Sequence, residues 1–197
     1  MAKAEVELKF CVPHVDRLLQ RAAEVGFHVE TPRTLERNAL FDTPGRDLLR
    51  ERKILRMRKY GDKWVVTHKR PPAGNDDTAF VKERLETETA VEDGEAMGAV
   101  FVELGFSPMF RYEKFRTELT DGVGALVVDE TPIGTFAELE GEREWIDAAL
   151  ERLHVAREWC FTDSYGRMFL DWKERTHSSA ENMTFEEIEA AREATPA

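Results

Sequence analysis

Charged and apolar residues alternate without a break between Glu5 and Phe10. Successive side chains of a β-strand point to opposite faces, so the apolar residues share one face while Glu5, Glu7 and Lys9 share the other. Two acids two positions apart in a strand lie about 7 Å from one another, a separation that a divalent cation can bridge. A strand with one face in solvent gives the same pattern, so the remaining strands must distinguish a surface from a binding site.

Composition limits the class of protein. The chain has 197 residues, 42% of them hydrophobic, which suits one globular domain with a short appendage. It has no run of about 18 apolar residues and no basic segment followed by an apolar one at its start, so we expect a cytoplasmic protein without a membrane span or a secretory signal. The net charge of -11 argues against nucleic-acid binding, which requires a basic surface. Cys11 and Cys160 have no metal-ligand spacing and are expected to be reduced thiols.

The periodicity of apolar residues predicts an α+β fold. Turn pairs such as Gly61-Asp62 and Asp121-Gly122 separate the strands, and a polar loop is predicted over 71–77. Thr184 and Glu187 form a capping box that opens a last acidic helix. About eight strands with helices between and after them indicate an antiparallel barrel. Strands are predicted at 5–10, 27–42, 53–60, 63–69, 79–91, 109–119, 124–130 and 136–140, and helices at 13–26, 46–51, 94–105, 142–154 and 162–175.

The same alternation places charges on one face of five further strands. These charges fall at Arg56 and Arg58, at Lys69 beside Thr67, at Arg84, Glu86 and Glu88, at Lys114 and Arg116, and at Glu138 and Glu140, with Asp129 on another strand. If the sheet closes on itself, these faces meet inside it. Carboxylates about 4 Å apart would then repel by about 4 kcal/mol at an effective dielectric constant of about 20. The acids therefore favour bound Mg or Mn, and the bases favour a polyanion with phosphoryl oxygens.

Seven motifs in order resemble one known family. They are Glu5-Val6-Glu7-Leu8-Lys9, which reads as ExExK, then Leu40-Phe41-Asp42-Thr43-Pro44, Leu55-Arg56-Met57-Arg58, Thr67-His68-Lys69, Arg84-Leu85-Glu86-Thr87-Glu88, Lys114-Phe115-Arg116 with Asp129, and 134–140. From residue 3 to about 170 the chain resembles the CYTH superfamily, also called triphosphate tunnel metalloenzymes. That superfamily includes class IV adenylyl cyclases, thiamine triphosphatases and inorganic triphosphatases.

The resemblance implies an eight-stranded antiparallel β-barrel, or tunnel, with flanking helices over residues 1–175, followed by a C-terminal helical tail over 176–197. It implies a triphosphate-containing small molecule as the partner and a divalent cation, Mg or Mn and two in number, as the cofactor. The implied phosphate ligands are Lys9, Arg56, Arg58, Lys69, Arg84, Lys114 and Arg116, with Arg167 over the tunnel mouth. The implied metal ligands are Glu5, Glu7, Glu138 and Glu140, with Asp129, Glu86 and Glu88 as further candidates. Glu5, Glu7 and Lys9 are the implied catalytic residues.

Three functions are compatible with such a site. Hydrolysis of an inorganic or organic triphosphate, such as thiamine triphosphate, is the first hypothesis, because it needs only positioning and charge neutralisation. A class IV adenylyl cyclase, which converts ATP to cyclic AMP and pyrophosphate, is the alternative. A non-catalytic polyphosphate or nucleotide binder is the third, although a binder would need only the bases. The apolar outer faces of the strands require cover by helices or by a partner, which leaves a homodimer open.

Overall fold

The computed structural model describes residues 3–72 and 82–193, and within these ranges the side chains of 3–5 and of 82–83 are not described. Most of the predicted loop 71–77 and the start of the predicted strand 79–91 therefore lie outside the described residues. The strands are β1 Lys3–Cys11, β2 His28–Asp42, β3 Ile54–Tyr60, β4 Lys63–Arg70, β5 Lys82–Val91, β6 Ser107–Thr120, β7 Ala125–Thr131, β8 Gly134–Glu140 and β9 Cys160–Phe161. The helices are α1 Val15–Glu24, α2 Asp47–Arg50, α3 Gly94–Glu103, α4 Arg143–Leu153, α5 Tyr165–Thr176 and α6 Phe185–Glu193, with a 3-10 turn at Arg157–Trp159.

All of the strand pairings are antiparallel. The strands are ordered β5-β4-β3-β2-β6-β7-β8-β1-β9, and β5 also pairs with β1. Along β1, residues 3–7 pair with β5 and residues 7–11 pair with β8. Strand β1 therefore has two partners along its length, β5 over its first half and β8 over its second half. An antiparallel sheet with flanking helices confirms the predicted α+β class, and the two-residue strand β9 is an addition to the predicted set.

The apolar face of β1 lies against helices. Leu8 packs with Leu126 and Leu139 of β7 and β8, and α4 contributes Ile146 and Leu150; all five are buried. Full burial of each such side chain contributes about 1.5–3 kcal/mol. The strand residues of this cluster alternate with the charged residues of the same strands. This packing therefore turns the charged face of the strands away from the helices.

A second cluster joins α5 and the C-terminal segment to the sheet. Tyr165 and Phe169 of α5 lie against Tyr112 of β6, and Met183 and Ile188 are buried in the same cluster. Met183 also exchanges backbone hydrogen bonds of 2.9 and 3.0 Å with β6, at Glu113 and Arg111. Over its described part, the segment that the sequence analysis gives as a C-terminal helical tail packs onto the sheet. Thr184 caps α6 by accepting a hydrogen bond from the N–H of Glu187.

No helix within residues 3–72 and 82–193 combines the length and the hydropathy that crossing a lipid bilayer requires.

The carboxylate of Asp121 fixes the β6–β7 turn. It accepts hydrogen bonds from Arg152 Nη1 at 2.7 Å, from Trp145 Nε1 at 3.0 Å and from the N–H of Val123 at 3.1 Å. Burial alone would raise the pKa of Asp121, but the hydrogen bonds from Arg152 and Trp145 outweigh it and lower the pKa to about 2. Because this folded-state pKa lies below the unfolded value of about 3.9, the stabilisation is complete well above pH 4 and disappears as the pH falls through about 2.

Asp121→Asn is therefore expected to lower the urea midpoint at pH 7 and to reduce the loss of stability between pH 4 and pH 2. Urea unfolding curves measured at pH 7, 4, 3 and 2 test this expectation. Equal acid sensitivity in the variant and the parent chain would show that Asp121 is not one of the groups whose protonation destabilises the fold.

Candidate functional site

A cavity of about 1550 Å³ runs along the charged faces of the strands. Its lining includes most of the charged residues of the predicted stripes: Glu7, Lys9, Arg56, Arg58, Lys69, Arg84, Glu86, Glu88, Lys114, Arg116, Glu138 and Glu140. Cross-strand neighbours bring them together, because directly opposed residues of an antiparallel pair share a face. Lys9 opposes Glu138, and Lys69 opposes Glu86. The cavity is therefore built from charged side chains that alternate with the apolar residues of the core.

Four of the cations that line the cavity are called the cationic cage here: Arg56, Arg58, Lys114 and Arg116. Lys114 is 2% exposed, and Arg56 and Arg116 are also buried. The Nε atoms of Arg56 and Arg58 are buried without a hydrogen-bond partner among the described residues. Buried donors of this kind are costly to leave unpaired, and guanidinium groups match phosphoryl oxygens well. The cage therefore has the donors that a bound polyphosphate requires.

Three carboxylates meet beside the cage. One oxygen each from Glu7, Glu138 and Glu140 lies within 4.8 Å of the other two, and we call these residues the acidic triad. Lys9 Nζ lies 3.0 Å from Glu7 and 3.2 Å from Glu138. Burial would lower the pKa of Lys9, but the carboxylates of Glu138 and Glu7 raise it well above its ordinary value. Three converging carboxylates are a ligand set that suits Mg or Mn.

Asp129 lies among the cations and outside the acidic triad. Its carboxylate accepts hydrogen bonds from Lys114 Nζ at 2.8 Å and from Arg116 Nε and Nη2 at 2.8 and 2.7 Å. Tyr165 Oη donates to the same carboxylate at 2.6 Å. Burial and the nearby charge of Asp129 raise the pKa of Tyr165 well above its ordinary value, so the phenol keeps its proton. The structure thus places Asp129, one of the further candidates for a metal ligand, against Lys114, Arg116 and Tyr165.

Glu86 and Glu88, the other two further metal candidates, also contact cations. Glu86 lies 2.9 Å from Lys69 Nζ, and Glu88 lies 2.9 Å from Arg58 Nη2. Burial would raise the pKa of Glu88, but hydrogen bonding with Glu86 and Thr67, followed by the charges of Arg58 and Arg56, lowers it to about 2. The structure thus places Glu86 and Glu88 with the basic residues rather than with the acidic triad.

Two site residues were missed by the sequence analysis. Glu36 is fully buried, and its carboxylate lies 3.5 Å from Lys114 Nζ and 3.9 Å from both Arg58 Nη1 and Arg116 Nε. A signal for Glu36 was present, since it shares the inward face of β2 with Asn38, but the neighbouring Arg37 hides the alternation. Tyr165 gave no strand signal because it opens helix α5.

Three predicted site residues remain: Arg84, Glu5 and Arg167. Arg84 lines the cavity and opposes Glu5 across the β1–β5 ladder, but the side chain of Glu5 is outside the described part of the chain. Arg167 also lines the cavity, is exposed, and forms an ion pair of 2.8 Å with Asp171. Arg167 thus lines the cavity, and its ion pair is with Asp171 rather than with a residue of the cationic cage.

Part of the cavity lining is apolar and open to solvent, and we call this part the apolar mouth. Leu49, Met109 and Leu170 are large hydrophobic residues that remain exposed, and all three line the cavity, as do Phe110 and Phe169. Phe110 and Phe169 stack with ring centroids 5.4 Å apart. Apolar side chains that are exposed inside a concave site are available to contact an apolar part of a ligand.

The CYTH domain family model matches residues 3–182. This chain belongs to the CYTH domain family. The family identified from the ordered motifs is thereby confirmed, and the match includes β1 to β9 and helices α1 to α5.

Individual relatives agree with this assignment. A candidate adenylate cyclase of Methanocaldococcus jannaschii is 27% identical over 137 residues, which are 69% of this chain and 75% of that protein. The structure of a candidate adenylate cyclase from Vibrio parahaemolyticus superposes with a TM-score of 0.76 at 20% identity, covering 86% of this chain and 99% of that one. A Hippeastrum candidate adenylyl cyclase, described as revealing a dominant triphosphatase activity, gives a TM-score of 0.62 at 20% identity, covering 87% and 96%. The two structures show a shared fold.

Proposed function

We propose that this CYTH protein is a metal-dependent triphosphatase that hydrolyses an organic triphosphate inside a tunnel formed by β1 to β8. The observation that carries the proposal is the meeting of the cationic cage and the acidic triad in one cavity. A polyphosphate binder would need the cations alone. The proximity of three carboxylates to the cage supports bound divalent cations and hence turnover.

In this proposal the basic residues hold the phosphates. Arg56 and Arg58 offer unpaired buried Nε donors, and Lys114 and Arg116 present charges fixed by Asp129. Fixed cations stabilise the charge that develops on the transferred phosphoryl group without reorganising during the reaction. Lys69 and Arg84 extend the basic lining, and Arg167 reaches the substrate at the mouth.

The acids position the metal and the water. Glu7, Glu138 and Glu140 would hold Mg or Mn, and a cation bound there would supply neutralisation of phosphate charge and a lowered pKa of water. Lys9, between Glu7 and Glu138, contacts the terminal phosphate. Glu5 lies two positions before Glu7 in β1 and accepts the proton of the attacking water. The water oxygen bonds to the terminal phosphorus, and the bond from that phosphorus to the bridging oxygen breaks with its electron pair going to the oxygen. The organic diphosphate is the leaving group, and the attacked phosphoryl group becomes inorganic phosphate.

The apolar mouth supports an organic substrate over inorganic triphosphate. Leu49 and Leu170 stay exposed and line the same cavity as the stacked pair of Phe110 and Phe169. Inorganic triphosphate would leave all of this surface in water. A heterocycle attached to the other end of the triphosphate, opposite the terminal phosphate, would cover it.

The second candidate is an adenylyl cyclase, favoured by the names of the Methanocaldococcus jannaschii and Vibrio parahaemolyticus relatives. The same cage would hold ATP, and the 3′-hydroxyl would attack the α-phosphorus with pyrophosphate as the leaving group. The cage holds the triphosphate equally well for either reaction, so the product distinguishes them.

The test is a substrate panel of inorganic triphosphate, thiamine triphosphate and ATP, each with Mg and with Mn. We expect phosphate release that requires the cation, with kcat/KM at least about tenfold higher for an organic triphosphate than for the inorganic one, which corresponds to about 1.4 kcal/mol of apolar contact at the mouth. Cyclic AMP as the main product from ATP would replace the hydrolase with the cyclase. Binding of triphosphate without any product would leave only a binder.

A further inference from the structure

Two buried carboxylates lie behind the cationic cage. Glu36 and Asp129 are both fully buried, and the described residues that line the cavity include their cationic partners but neither carboxylate. Asp129 makes close hydrogen bonds to Lys114 and Arg116, so it fixes their positions. Glu36 differs, because it contacts the same two cations and Arg58 at longer distances.

The contacts of Glu36 are long and incomplete. Its Oε1 accepts a hydrogen bond from Asn38 Nδ2 at 2.9 Å and lies 3.5 Å from Lys114 Nζ. Its Oε2 has no hydrogen-bond partner among the described residues, and the nearest guanidinium nitrogens, on Arg58 and Arg116, are 3.9 Å away. A buried carboxylate with an unpaired oxygen is costly unless it carries out a function.

The charge of Glu36 is maintained by the cage. Burial would raise its pKa, but Lys114 and Arg116, followed by Arg58 and Arg56, hold the pKa well below its ordinary value. The carboxylate therefore stays ionised at neutral pH. It attracts the same cations that would bind phosphate, and it offsets the repulsion between those cations when no anion is bound.

Given the proposed function, we propose that Glu36 is a positioning residue that acts as a permanent counter-ion of the cationic cage. Its carboxylate supplies part of the negative charge that the substrate would bring. It therefore keeps the cage assembled without substrate and lowers the affinity of the cage for phosphate. This lower affinity favours release of the anionic product.

Glu36→Gln tests this role, because the amide keeps the size and one acceptor of the carboxylate but removes its charge. The probe is inorganic tripolyphosphate, measured by calorimetry with a chelator present so that no turnover occurs. We expect about tenfold tighter binding in Glu36→Gln, which corresponds to about 1.4 kcal/mol. Without ligand its melting temperature should be lower than that of the parent chain, and tripolyphosphate should raise it by a larger interval.

Glu130→Gln is the matched control. Glu130 is the next residue after Asp129 and is paired with Arg33 outside the cavity, so its loss of charge should leave tripolyphosphate affinity unchanged. In steady-state assays with metal, Glu36→Gln should lower both KM and kcat, whereas simple loss of structure would not lower KM.

A folded Glu36→Gln variant that binds tripolyphosphate no more tightly than the parent would overturn the counter-ion role. If the variant is unfolded alone, tripolyphosphate is expected to restore its fold, and failure to do so would equally overturn it. Absence of tripolyphosphate binding in the parent chain would instead reject the proposed function, so the two failures are distinguishable.

Discussion

Glu7→Gln is expected to lower metal-dependent phosphate release by at least about 100-fold while the chain keeps its fold. The exchange replaces one of the three carboxylates of the acidic triad with a neutral amide, which is a weaker ligand for Mg or Mn. The fold should survive because Lys9, which is 3.0 Å from Glu7, keeps a second carboxylate partner in Glu138 at 3.2 Å. The measurement is phosphate release from the preferred triphosphate as a function of Mg and Mn concentration.

Glu130→Gln again serves as the control, since it removes a carboxylate that faces away from the cavity. It should retain the rate and the metal dependence of the parent chain. Phosphate release by Glu7→Gln at the parent rate would show that the acidic triad does not hold the catalytic metal. A shift of the metal optimum to much higher concentration with partial activity would support a ligand role for Glu7.

Asp129→Ala is expected to lower the free energy of unfolding by about 3–5 kcal/mol. The change leaves Lys114 and Arg116 buried without their closest carboxylate, and it leaves Tyr165 Oη without its acceptor at 2.6 Å. Removing one partner of a buried ion pair is costly because the remaining charge has lost its solvation by water and its counter-charge. Urea unfolding followed by tryptophan fluorescence measures the difference.

Asp147→Ala is the matched control for Asp129→Ala. Asp147 also pairs with an arginine, Arg157, but both side chains are more than 40% exposed. Its removal should cost less than about 1 kcal/mol, as is usual for surface ion pairs. If Asp129→Ala were as stable as this control and lost its response to Mg or Mn, Asp129 would belong with the metal ligands, as the resemblance implied.

The sequence predicted most of the strands because one face of each is apolar. Leu8 and Leu139 alternate with Lys9 and Glu138, and a period of two leaves no other way to bury the apolar set. The stripes at Arg56 and Lys114 follow by the same rule. The family also followed from the sequence, since the motifs occur in a fixed order over residues matched by the CYTH model.

The alternation of polar and apolar residues did not identify Glu36 as a buried residue. In β2 the inward Glu36 and Asn38 alternate with the outward Arg37, which is charged as well, so both faces are polar at this point and alternation gives no direction. Burial decides: Glu36 is fully buried, whereas Arg37 is exposed and paired with Glu113. Only contacts from β3 and β6 could reveal this difference.

The sequence by itself determined the fold class, the family and the face on which each strand carries its charges, because these depend on local periodicity and on motif order. The tertiary structure decided which charges are neighbours. It grouped Glu7 with Glu138 and Glu140, and it placed Asp129 beneath Lys114 and Arg116 with Tyr165 from α5. The physical reason is that a carboxylate beside another carboxylate favours a divalent cation, while a carboxylate beside two cations is already neutralised. Strand register and the packing of α5 determine which neighbours each carboxylate has.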